Sequence, residues 1–365
     1  MKTWLGLALA VCALVTGCSS TGTDAGVSVG AGAACGGLPV VAWSSEEQAP
    51  SRLAAVGPGA PATPATIDVK GIVMGAVNGN IVGGHAYFLS QGDARHGTTD
   101  LIDLSMADCR ARPVRLDKVV GPLAMTTDGS RFYTTNTLNF ASAIRRFDGS
   151  GALKSERTVD HVGVTALVLG DGVLYAFANE FHDTGDDSYT LLALDPDTLE
   201  VRARHTLPKA ADSVTSAVFR DGRLIYPLNH DEATQARGHE LVSLDPTTMS
   251  ATTIDLGAPL PFLLRLTGDT LVVGHTFMNP AFGPLSSMTH VSTVDLGTGK
   301  VTGHDLDTGI ADLTVDASHV YVLGQRADST AHLVQTYDLA TLTRTASVAV
   351  NPPAEGYYAA GILAP

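Results

Sequence analysis

Charge is scarce in this chain: only 16% of its 365 residues are Asp, Glu, Lys or Arg. Basic residues are scarcer still, 23 against 37 acidic, for a net charge of -14. A nucleic-acid binder needs a basic footprint, so that class is excluded. Aromatics make up 6%, with two tryptophans, Trp4 and Trp43, and there are four cysteines. No apolar run reaches the roughly 20 residues of a membrane-spanning helix. No stretch shows sustained helical periodicity with caps, which excludes an α or α/β domain. What the chain does have is 38 glycines, 18 prolines and 44% apolar residues. Enough apolar surface is available for a large core, divided among many short strands and turns.

The N-terminus reads as an address. Trp4 to Val15 is a short apolar run behind Lys2, followed by Thr16-Gly17-Cys18-Ser19-Ser20. It suits a signal-peptide core. The small residue before Cys18 resembles the bacterial lipobox, which implies cleavage after residue 17 and lipidation of Cys18. Residues 18–37 are Ser, Thr, Gly and Ala with few bulky side chains, a flexible tether. The expected product is an exported lipoprotein anchored in the cell envelope, in the outer membrane of a two-membrane cell or on the outer face of a single one. Cys12 leaves with the signal and Cys18 is acylated, so Cys35 and Cys109 are expected to pair as a disulfide. Gly26-Val27-Ser28-Val29-Gly30 matches a serine-hydrolase elbow in letters only, because no strand or helix flanks it.

From residue 38 onward the chain repeats. Segments such as LLALDPDTLEVRARHTL (191–207) and LVSLDPTTMSATTIDLG (241–257) share a strand, an Asp, a short turn and a second strand. The acids Asp103, Asp148, Asp195, Asp245, Asp295 and Asp338 fall 45, 47, 50, 50 and 43 residues apart. Upstream of each lies a second hairpin, often turned by Asp-Gly, as in ALVLGDGVLYAFA (166–178). Four strands per period of this length predict a β-propeller blade. Leu38–Trp43, Arg52–Val56 and Thr66–Val69 are three strands without a blade, and Tyr357–Leu363 is a fourth. Together they predict a seventh blade closing one propeller domain over residues 38–365, with six blades and an N-terminal strap as the alternative.

The strand endings Tyr-Val-Leu-Gly and Leu-Tyr-Ala-Phe, followed by hairpins like LDPDTLEV, resemble the YVTN and quinoprotein-like bacterial propellers. The resemblance implies the fold and leaves function open. The tryptophan docking motifs of the quinoprotein dehydrogenases are absent, which speaks against a cofactor.

Candidate function residues come from the loops after the second strand of each blade. Gln91, Asn136, Asn179, Glu180, Asn229, His230, His275 and Gln325 are candidates for a polar ring around the axis. The alternative is that these amides cap backbone groups where strands become loops. A calcium ion is a further possibility, by resemblance to the calcium-dependent lactonases, on Asn136, Asn179, Glu180 and Asn229. Zinc motifs are absent: His239-Glu240 lacks the second histidine of HExxH. With no convincing catalytic set, the sequence predicts a monomeric, non-catalytic binding or scaffold propeller without cofactor, serving an envelope protein or a small polar ligand. A metal-dependent hydrolase or lactonase is the alternative.

Overall fold

A computed structural model describes residues 37–45, 49–57, 60, 65–71, 80–90, 98–181, 188–207, 214–231, 236–276, 289–325 and 332–364. At 65, 68–70, 98, 229–231, 236–237 and 325 the backbone alone is described. The described residues form 28 strands, β1 (Val40–Ser45) to β28 (Tyr357–Leu363), and no helix. They make seven four-stranded antiparallel sheets. This is a seven-bladed β-propeller. Six sheets follow the chain: β4–β7, β8–β11, β12–β15, β16–β19, β20–β23 and β24–β27, hereafter blades 1 to 6. The seventh runs β28-β1-β2-β3 and so joins the last strand to the first three.

Why the chain makes blades is visible in the third-strand turns. Asp195 ends β14 (Ser188–Leu194), and its Oδ1 accepts from Asp197 N at 2.8 Å and Thr198 N at 2.7 Å. The same pattern recurs at Asp245, Asp148 and Asp338. Hydrogen bonds from the Thr198 and Asp197 N–H groups hold the Asp195 carboxyl down at about 2. In blade 1 the anchor position belongs to Ser105, whose N–H bonds Arg110 O; it faces His85, the register place that Asp148 fills opposite Arg131. Asp103 stands two residues earlier and pairs with His85 and Arg112 instead. The repeat is therefore regular in structure where the first acid is out of step.

In blades 1 to 6 each turn closes with a left-handed residue, and in three of them it is a large apolar one: Leu199, Met249 and Leu342, at φ 60°, 58° and 53°. Gly299 takes the same place in blade 5 at φ 71°. Leu199 and Leu342 are buried, so the side chain plugs the blade's lower end at the cost of backbone strain. Leu199→Gly sets these effects against each other. Relief of strain is worth about 1–2 kcal/mol, and loss of a buried leucine costs roughly 3–5 kcal/mol. A net destabilisation of about 2 kcal/mol is expected in a urea titration.

The core is a ring of seams. Seven apolar clusters each draw on two adjacent blades, among them Tyr133, Ile144, Val164 and Leu192 between blades 2 and 3. Packing blade on blade buries both faces of each sheet, which is why the second strands read as nearly continuous apolar runs. The last seam is latched at the axis. The carboxylate of Asp312, on inner strand β24 (Gly309–Val315), accepts from Ile362 N of β28 at 2.9 Å and from Leu313 N at 2.8 Å. Arg265 of β20 (Pro261–Thr267) lies 3.9 Å away.

Candidate functional site

Inner strands start on the face that carries the links between blades, and second strands end there; this is called the upper face. It carries a cleft of about 590 Å³. Asp160 and His161 line it from the link between β11 (Leu153–Asp160) and β12 (Val162–Gly170), with Glu180 and Phe181 at the end of β13 (Val173–Glu180). Thr190, Arg204 and Thr206 complete it from β14 and β15 (Val201–Thr206). The cleft thus lies between blades 2 and 3.

Its aromatic wall is built by local constraints. His161 takes φ 58°, and its carbonyl accepts Phe181 N–H at 2.8 Å. A Cβ on Gly163 would meet the Phe181 ring at 2.8 Å, so only glycine lets the ring lie over the inner strand. Across the seam, β9 (Arg131–Leu138) turns into β10 (Ala141–Asp148) through Asn139 and Phe140 alone. Both have positive φ, 51° and 61°, as a tight hairpin of matching twist requires. Phe140 stands where glycine is the usual choice, is 67% exposed, and meets the Phe181 ring edge-on at 5.5 Å. Leu138 beside it is 59% exposed. A strained, solvent-facing phenylalanine opposed by a second fixed ring is the least expected feature of this surface.

The polar floor is an ion pair. Arg204 Nε donates to Glu180 Oε1 at 2.8 Å, and Ser188 Oγ donates to Glu180 Oε2 at 3.3 Å. Thr190 Oγ1 donates to the His205 carbonyl at 3.0 Å.

Of the eight sequence candidates, Glu180 lines this cleft. Asn136 is buried, and its Oδ1 accepts from Arg145 Nη1 at 2.5 Å, while Arg145 Nε bonds Glu156 at 3.3 Å. His275 is buried too, its Nδ1 2.9 Å from Pro259 O and its Nε2 2.9 Å from Ser292 Oγ. Burial pushes the His275 imidazole down to about 4, against the opposing pull of the Pro259 carbonyl. Asn179 pairs in register with Gly163 and Tyr189 at the upper end of β13. Asn229, His230 and Gln325 end their second strands, and their side chains lie outside the described residues, as does Gln91 altogether. Asn136 and Asn179 stand five and six residues beyond the residues facing their anchors, Arg131 and Val173, so strand alternation sends them to opposite faces. Sequence reasoning missed Phe140, Asp160, His161 and Arg204. The short hairpin at Asn139 and Phe140 was the available signal.

Among the described residues, no three His, Cys, Asp or Glu side chains are placed to share a metal ion. Asp312 is the only such side chain on the described inner strands from β8 to β28, and its oxygens accept backbone N–H groups. A calcium site on the candidate amides is overturned by their partners: Asn136 and Glu180 each face an arginine rather than each other.

No protein-family model matches the chain, and no curated protein matches it in sequence. Solved structures do match in fold. A point mutant of the Synechocystis apocarotenoid oxygenase superposes with a TM-score of 0.54 at 10% identity, over 91% of this chain and 94% of its own. The cobalt-substituted form of that enzyme gives 0.54 at 10% identity, over 90% and 92%. An apocarotenoid oxygenase/RPE65 chimera gives 0.52 at 9% identity, over 92% and 94%. These are not YVTN or quinoprotein-like propellers, so that finer resemblance is corrected while the propeller stands. Two further expectations are corrected with it. The non-catalytic scaffold rested on the lack of a convincing catalytic set in a closed all-β ring, and the lactonase on calcium at its axis; the matching rings are oxygenases. The absence of a cofactor is corrected likewise, because one of these neighbours is a metal-substituted enzyme.

Proposed function

We propose that this chain is an exported, lipid-anchored enzyme acting on a small, elongated apolar substrate with one polar end, bound in the cleft between blades 2 and 3. The observation that carries the reading is Phe140, held exposed in a left-handed conformation against Phe181. Phe181 lines the cleft and Phe140 packs edge-on against it, so the pair offers a flat or linear hydrocarbon an apolar surface. Glu180, Arg204 and the two threonines then offer hydrogen bonds at one end. The likeness in fold to enzymes of apocarotenoids supports a substrate of this shape. The described residues do not supply the ligand set that such a metal needs, so no step is assigned to one. What the cleft's own residues do is bind and orient.

Titration of the purified protein with a polyene aldehyde, followed by ligand absorbance, tests the site. Phe140→Ala and Phe181→Ala are each expected to weaken binding about tenfold, a loss of roughly 1.4 kcal/mol, with the far-ultraviolet spectrum unchanged. Equal affinity in wild type and both variants would overturn the reading.

Anchoring is a separate part of the proposal. Lipidation of Cys18 places the ring in the envelope as a monomer on a tether, since acyl chains contribute roughly 0.8 kcal/mol per buried methylene. Cys18→Ala is expected to move the protein from the membrane to the soluble fraction and to abolish palmitate labelling. Cys109 is a disulfide cysteine at φ 56° in the lower turn of blade 1. Cys35, just ahead of the lower end of β1, is the partner we assign to it.

A further inference from the structure

The reading of the cleft as a site for an apolar tail leaves the polar end of the substrate unspecified, and the charges of the floor address it. Resting on that reading, we propose that the cleft takes a neutral oxygen end group, a carbonyl or a hydroxyl, and rejects the matching carboxylate.

Cross-strand register assembles the floor. Glu180 pairs with Ser188, Thr190 with Thr206, and Arg204 with Leu192, so residues of β13, β14 and β15 share the face turned towards blade 2. Arg204 spends its Nε on Glu180, and among the described residues its two Nη groups make no further bond. The Arg204 side chain is 45% exposed and lines the cleft, so those donors can reach a ligand. A guanidinium in this state offers hydrogens and needs an acceptor. Its charge, however, is already matched by Glu180, and Asp160 adds a second carboxylate to the lining. Among the described residues the cleft is thus lined by one guanidinium, two carboxylates and the His161 imidazole.

An incoming carboxylate could accept from Arg204 but would stand among like charges, and its desolvation would go uncompensated. An ammonium would meet favourable charge but has only hydrogens to give, and cannot use Arg204. A carbonyl or hydroxyl oxygen accepts from Nη without adding charge. A neutral oxygen is the end group that satisfies both the donors and the field.

The matched series decanal, decanol, decanoate and decylamine, titrated calorimetrically at pH 7.5, tests this on the full mature chain. Decanal is expected to bind at least tenfold more tightly than decanoate. Glu180→Gln removes one negative group and should narrow that ratio several-fold by improving decanoate, with circular dichroism confirming the fold. Phe181→Ala should weaken all four alike, because it acts on the tail. Decanoate binding as tightly as decanal or decanol, or decylamine binding tightest, overturns the neutral-oxygen assignment while the tail site stands. If none of the four binds, or Phe181→Ala changes nothing, the apolar cleft falls and takes this inference with it.

Discussion

Asp312→Ala is expected to lower stability by about 3–5 kcal/mol, with a fall in Tm on the order of 5–10 °C. The carboxylate joins the inner strand of blade 6 to the C-terminal strand through Ile362 N. Removing it strands that N–H and Leu313 N in the interior, each costing roughly 1–3 kcal/mol. It also takes away the charge 3.9 Å from Arg265, whose guanidinium burial already pulls below its usual range. Asp312→Asn keeps an oxygen of similar shape and is expected to lose less. Differential scanning calorimetry on both variants checks the order. A loss in Asp312→Ala below about 1 kcal/mol, the worth of one ordinary hydrogen bond, would show that the ring does not depend on this latch.

Acid is expected to weaken the fold well before the carboxylates titrate. His275 sits neutral at about 4 in the folded chain because burial disfavours its charged form. In the unfolded chain it titrates near 6.5. Between those values the unfolded state binds the extra proton, so stability is full above about 6.5 and falls as pH drops towards 4, by roughly 3 kcal/mol in all. Burial depresses the His332 imidazole too, which acts in the same direction. Parallel urea titrations at pH 7.5 and 4.5 measure the slope, and His275→Gln should remove most of it. That variant keeps a donor for the Pro259 carbonyl and an acceptor for the Ser292 hydroxyl. A slope unchanged in His275→Gln would assign the acid response elsewhere.

The ring was legible because its determinants are local and repeated. Turn acids such as Asp195 and Asp245, Asp-Gly hairpins at Asp171 and Asp221, and the unmatched strand Tyr357–Leu363 each act within a few residues of themselves. Closure through β1 and β28 followed from counting strands, since an open sheet edge at both ends would be exposed. The candidate site was not legible for the opposite reason. Glu180 and Arg204 meet across β14, and Phe140 meets Phe181 across a seam, so neither pair has a sequence spacing of its own. Polar residues at strand ends drew attention, yet alternation turned Asn136 away from Asn179 and gave it to Arg145. Gly163 was the quiet clue, a residue poor for a strand that is needed to admit the Phe181 ring.

The blade that holds both β1 and β28 also sets a timetable. Its first three strands leave the ribosome long before their partner is made, and until then they wait with a bare backbone edge. A chain cut short by stalled synthesis carries that edge permanently, open to proteases and to other unpaired strands. The topology therefore doubles as a completeness check: only a chain translated through Leu363 can hide the open edge of β1.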